Sequence, residues 1–321
     1  MHRLPSPPRV LISSLFASLV ALSSCGGTPP TEKAEIVIAS APSAPVGSLP
    51  LPTRSRTVAR DGGFDACLDK LRAGSLDSAA NQERTPAAER DRYVSALANE
   101  REGKLLEARR GYLEIIQKFP QSRLVPLVYL AFGELFLKTS TGDPTQLPLA
   151  EQSYREVLKY PPPDNAAYGF ASMRLGQIFR AGHRPDQALS SSMKAVDVAR
   201  TSAEPCEQAF ADVARSDLVD AYAEMGKPEA AFAFFQRVGD PNRKGSSSAD
   251  LVERLLVRYV ATDQAAEALA LIEDNAKRSP STSFCAAAHA ALELLRGSKG
   301  AVARDIAARE SSLAAHCGSP P

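Results

Sequence analysis

The 321-residue chain has no tryptophan, four histidines, five cysteines and only 6% aromatic residues. Each shortage closes a route to function. A sugar-stacking surface, of the kind a peptidoglycan adaptor would carry, is built from aromatic faces, and few are on offer. With so few histidines there is little material for acid–base or metal chemistry, and no HExxH helix or nucleophile elbow is present. Gly297-Ser298-Lys299-Gly300 imitates a phosphate loop but has neither the spacing nor a preceding strand pattern. An excess of one charge is missing too: 38 Lys+Arg face 37 Asp+Glu, so the broad basic surface that nucleic acid demands is not expected. Long apolar runs are also lacking. The longest, Val10 to Leu22, is thirteen residues broken only by Ser, short of the roughly 20 needed to span a bilayer.

What is present is unevenly spread. Of 24 prolines, nine precede Thr53, and the first sixty residues follow different rules from the rest. His2, Arg3 and Arg9 precede the apolar run with no acid among them, the pattern of an export signal. Leu22-Ser23-Ser24-Cys25 then resembles the lipobox of bacterial lipoproteins. The resemblance implies a signal peptide over 1–24 and lipidation of Cys25, whose three acyl chains would anchor the protein permanently. Gly26 at the next position, rather than Asp, implies the outer membrane by the enteric sorting pattern. Residues 25–63 read as a Pro/Gly-rich tether without core-forming content. As a flexible coil it would reach roughly 35 Å, and about 120 Å as polyproline II.

From residue 64 to 317 the apolar spacing is helical and strand alternation is absent, so the expected class is all-α. The segment repeats itself. Gly103-x4-Ala108-x3-Tyr112-x2-Ile115-x4-Pro120 recurs as Ala150-x3-Tyr154-x2-Val157, as Leu175-Gly176-x2-Phe179 with Ala188, as Gly226-x4-Ala231-x3-Phe235-x2-Val238, and as Tyr259, Ala268 and Ile272. Pro126, Pro148, Pro185, Pro205 and Pro228 stand where helices should begin, because a first-turn NH has no partner in any case. The pattern resembles the tetratricopeptide repeat and implies a right-handed solenoid of helical hairpins, about five repeats with terminal caps. Residues 64–81 and a sixth pair over 283–315 are the expected caps. Lys104 to Tyr160, with Phe119-Pro120-Gln121-Ser122 and Ala131-Phe132-Gly133, is similar to periplasmic tetratricopeptide lipoproteins of the β-barrel assembly and Tol-Pal coordinator type.

The implied function is a non-enzymatic scaffold that binds other envelope proteins on its concave face. No cofactor, metal, nucleic acid or small-molecule substrate is expected. In register, the first helix of each pair would present Tyr93, Leu97, Arg101, Glu134, Lys138, Phe170, Gln177 and Arg180 in one half of the groove. Asp220, Glu224, Asp250 and Glu253 occupy the matching positions in the other half, giving a groove mixed to basic at one end and acidic at the other.

Two readings are open for Cys285, His289, His316 and Cys317. Cys285 and His289 share a helix face, so a zinc site is conceivable; an oxidising compartment favours a Cys285–Cys317 disulfide. Helix lengths leave the two cysteines a mismatch near 10 Å at 1.5 Å per residue. Cys67 and Cys206 would pair only if the first cap folds across the array.

Overall fold

A computed structural model of the chain describes residues 63–74, 85–202, 204–278, 280–297 and 303–317. The expected signal peptide, Cys25 and the tether up to residue 62 lie outside the described residues. Thirteen α-helices and no strand are found among those described: α1 Gly63–Gly74, α2 Ala87–Arg101, α3 Leu105–Lys118, α4 Val125–Thr139, α5 Leu147–Val157, α6 Tyr168–Ala181, α7 Pro185–Arg200, α8 Pro205–Met225, α9 Ala231–Val238, α10 Ser248–Ala261, α11 Ala265–Ala276, α12 Thr282–Leu295 and α13 Ala303–Cys317. The all-α expectation therefore holds.

Local chemistry sets the helix starts. Pro126, Pro148, Pro185 and Pro205 occupy the first two positions of α4, α5, α7 and α8, and Pro228 opens a short 3-10 turn ahead of α9. A ring that lacks an NH costs nothing there, and its fixed φ is already helical. Helix α10 begins differently, with a capping box in which Ser247 and Asp250 satisfy each other's backbone NH groups. Four of the turns between paired helices are alike. Gly103, His183, Gly226 and Asp263 adopt φ of 77, 53, 59 and 58°, each two residues before the helical segment that follows. Gly182, the expected turn glycine, keeps φ at −88°, and its neighbour His183 takes the left-handed conformation.

Small residues let the paired helices touch. A Cβ on Gly133 would lie 2.5 Å from the Tyr154 ring, and one on Gly176 would collide with Ser192 Oγ. The alanines Ala108, Ala150, Ala188, Ala231 and Ala268 are all buried, as are Tyr112, Tyr154 and Phe235. Helix α2 packs on α3, α4 on α5, α6 on α7, α10 on α11 and α12 on α13. Tyr222 of α8 meets α9 through Phe234 and Phe235, with ring centroids 4.8 and 5.3 Å away. Next-but-one packing then aligns the first helices α6, α8, α10 and α12 in one row.

Helix α1 breaks the sequential order. It packs on α8 and does not simply cover the start of the array as the expected cap would. Cys67 of α1 and Cys206 of α8 are joined by a disulfide, with Sγ atoms 2.07 Å apart and a sequence separation of 139. The first cap thus does fold across the array, the condition for this pairing. Cys285 and Cys317 form the second disulfide, Sγ–Sγ 2.11 Å. Their Cα atoms lie 5.7 Å apart, so the length mismatch anticipated from the sequence does not keep the two cysteines apart.

Candidate functional site

The first helices carry a chain of ion pairs and hydrogen bonds, built from side chains at one end of otherwise apolar stripes. On α2 the stripe Tyr93, Ala96, Leu97 is buried, and the next residue along it, Glu100, is the polar end. Glu100 accepts from the Tyr112 hydroxyl at 2.8 Å and from Arg72 Nη1 at 2.9 Å. On the next helix pair, Glu134 of α4 accepts from the Tyr154 hydroxyl and, through both oxygens, from Arg174 Nε and Nη2 at 2.9 Å each. Arg174 Nη1 also donates to Gln177 Oε1 at 3.2 Å, and Gln177 Nε2 donates to Asp217 Oδ2 of α8 at 3.1 Å. Arg180 lies 3.5 Å from Asp217 and 3.6 Å from Asp220, and Arg258 of α10 lies 3.3 Å from Asp220. Two networks result: one joins Arg72, Glu100 and Tyr112 across α1 to α3, and the other is a zipper of alternating sign from Glu134 of α4 to Arg258 of α10.

Burial makes these pairs consequential. Arg72 is 5% exposed; desolvation opposes its charge, yet the hydrogen bond to Glu100 and the fields of Tyr112 and Glu100 outweigh it and hold the guanidinium above its ordinary pKa. Burial, helped by Glu134, drives the Tyr154 phenol well above its usual value. Burial likewise pushes the Asp217 carboxyl up, against the lowering effects of Arg180 and Gln177. Tyrosines held neutral are good donors to the neighbouring glutamates.

The expected site residues do not all come together. Glu134, Gln177, Arg180 and Asp220 come together in the zipper. Arg101 and Lys138 are exposed; Arg101 stands 3.8 Å from Asp69 of α1. Glu224 lies 3.9 Å from the exposed His183 ring. Tyr93, Leu97 and Phe170 are buried in the core and offer no surface to a partner: Tyr93 packs against Tyr112 at 5.9 Å between ring centroids, and Phe170 meets Phe210 edge-on at 4.9 Å. Asp250 spends its carboxylate on the Ser247 cap. The expected gradient from basic to acidic gives way to alternation, because Arg180 and Arg258 neutralise the aspartates of α8.

Repeat register does not point to Arg72, Glu100, Arg174, Asp217 or Arg258. Arg215 is another residue that the register misses: fully buried, it donates to the Val238 carbonyl and to Asp212 Oδ1, each at 2.9 Å. Asp212 in turn binds Arg243 and Ser246, tying the α9–α10 connection to α8. A signal exists for two of them. Arg215 falls on the stripe Ala211, Ala214, Leu218, and Arg72 on the stripe Leu68, Leu71, positions where a charge needs a partner.

The zinc reading of the C-terminal cluster loses its thiolates, since the sulfurs of Cys285 and Cys317 are bonded to each other. His316 is exposed, its Nδ1 2.8 Å from the Ser312 carbonyl, and no group of three or more metal-type side chains converges among the described residues. None of the helices described is long and apolar enough to cross a membrane. Compared with known proteins, the chain matches no family model, no curated protein and no solved structure.

Proposed function

We propose that this chain is a lipid-anchored interaction scaffold of the bacterial cell envelope, a tetratricopeptide-like solenoid whose row of first helices receives another envelope protein. The recurring hairpin, with a left-handed residue two positions before each of four second segments, supports the repeat reading. The lipobox-like Leu22-Ser23-Ser24-Cys25 supports the anchor and, with Gly26, the outer membrane. The observation that carries the scaffold reading is the zipper itself, from Glu134 through Arg174 and Asp217 to Arg258. It fixes the orientation of polar side chains along one surface while leaving Arg101, Lys138 and Glu224 exposed at its edge to set the charge a partner meets.

Cell fractionation with charge-reversed variants tests this reading. Cys25→Ser should move the protein from the membrane to the soluble fraction and abolish incorporation of labelled fatty acid. Lys138→Glu with Glu224→Lys should release a protein that co-purifies with the parent chain while leaving thermal stability unchanged. Retention of both membrane association and co-purification by these variants would rule the proposal out.

A further inference from the structure

Helix α1 has two unlike sides. Leu68 and Arg72 are 9% and 5% exposed and Leu71 packs on the core, a stripe at i, i+3 and i+4. On the opposite side Asp69 and Lys70 are exposed, within 3.8 Å of Arg101 and 3.7 Å of Glu204. Arg72, Glu100 and Tyr112 reproduce the arrangement of Arg174, Glu134 and Tyr154. In the second set the arginine comes from a helix of the repeating array. In the first it comes from α1, which among the described residues pairs with no helix next to it in sequence and is held to α8 by one covalent bond. The Glu100–Tyr112 pair of α2 and α3 is thus completed by α1, as the Glu134–Tyr154 pair of α4 and α5 is by α6, and α1 shows what a helix seated there carries.

We propose that α1 is a latched strap, occupying within the chain the end of the first-helix row at which an amphipathic partner helix docks, and that opening Cys67–Cys206 releases the latch. The inference rests on the first-helix row being the partner surface. The partner helix it fits has two apolar side chains three apart, followed at once by an arginine that enters the Glu100–Tyr112 site. Opening needs a dithiol reductant. One of its thiolates attacks a sulfur of the disulfide, and the other cysteine leaves as a thiolate that takes a proton from water. The second thiol then resolves the mixed disulfide, so Cys67 and Cys206 end as thiols and the reductant as a disulfide. Once open, α1 competes only through its tethered effective concentration, on the order of millimolar, which a matched partner helix can exceed.

The test uses the full chain with Cys67→Ser, which frees Cys206 as a reporter. The probe is a synthetic peptide of residues 63–76 whose Cys67 is activated as a mixed disulfide with thionitrobenzoate. Capture is followed by chromophore release and located by peptide mass. The parent peptide should label Cys206 at least tenfold faster than a peptide carrying Leu68→Ser and Arg72→Gln; equal rates would overturn the proposal. A second measurement needs no substitution. In the native chain, dithiothreitol should raise amide exchange in α1 at least tenfold while α6 and α7 stay protected. Exchange rising uniformly through all helices would make the bond a simple staple and defeat the latch. Both readouts use only the purified chain and a peptide of its own sequence, so their outcome is independent of whether cells contain a partner for the row.

Discussion

Arg72 of α1 and Glu100 of α2, 28 residues apart, form an ion pair in which only 6% and 15% of the two side chains are exposed. Removing one partner of such a pair strands the other charge in low dielectric. Arg72→Ala is therefore expected to cost about 3–5 kcal/mol. Replacing both residues, as Arg72→Met with Glu100→Leu, should cost less than the single change. Urea unfolding of the single and double variants measures this directly, and a double variant as unstable as the sum of its parts would show that the two residues act independently.

Glu207 sits in the first turn of α8 beside the Cys206 bridge, with one carboxylate oxygen buried and unpaired. Burial, reinforced by Glu204, raises its pKa from 4.5 to about 7. A carboxyl whose folded pKa lies above its unfolded value favours folding at low pH, and that contribution is lost as pH climbs from 4.5 to 7. Stability should fall across this window, and Glu207→Gln should flatten the fall and raise the melting temperature at pH 8. A variant that tracks the parent at every pH would show that the carboxyl is ionised at no cost.

Closing a loop of 139 residues through Cys67–Cys206 is worth about 5 kcal/mol in the loop-entropy model, against about 4 kcal/mol for the Cys285–Cys317 loop. Non-reducing peptide mapping should recover both pairs. Because α1 alone is expected to detach when Cys67–Cys206 opens, the loss of melting temperature for Cys206→Ser should stay below that for Cys317→Ser, and the reverse order would indicate that the bond staples the whole array.

Much of the helical plan is legible in the sequence because it is written locally. Pro126, Pro148, Pro185 and Pro205 announce helix starts, and the Ala-x3-aromatic pairs announce which faces meet. The left-handed turn residues are half legible: Gly103 and Gly226 carry the expected residue type, whereas His183 and Asp263 take the same φ with a side chain. The zipper is less legible. Repeat register puts Glu134, Gln177, Arg180 and Asp220 on the right helices, but partners such as Arg174 and Asp217 lie about 40 residues away, beyond any local spacing. Tyr93 passes for a groove-lining residue in the sequence because aromatic side chains suit both a groove and a core. Its stripe with Ala96 and Leu97 is what places it inside. Arg72 is the hardest to find, since α1 joins the row through a contact 139 residues distant.

Glycine substitutions separate two kinds of constraint. Gly103 has φ of 77°, and a Cβ added there would meet nothing within 4 Å, so Gly103→Ala should cost only the left-handed penalty, about 1–2 kcal/mol. Gly133 is helical, but its Cβ would strike the Tyr154 ring at 2.5 Å. Gly133→Ala forces α4 from α5 and strains the Tyr154–Glu134 contact, so about 2–3 kcal/mol or more is expected. Denaturant midpoints for the two variants check the order, and a costlier Gly103→Ala would point to a turn held by more than backbone preference.

Photocrosslinking in intact cells addresses the first-helix row directly. A photoreactive amino acid placed at Lys138 or Arg101, at the edge of the zipper, is expected to give a discrete higher-mass adduct containing one and the same envelope protein. The same probe at Leu106, a second-helix position 74% exposed, should give none. Adducts at Leu106 with none at Lys138 or Arg101 would contradict a partner surface on the first helices.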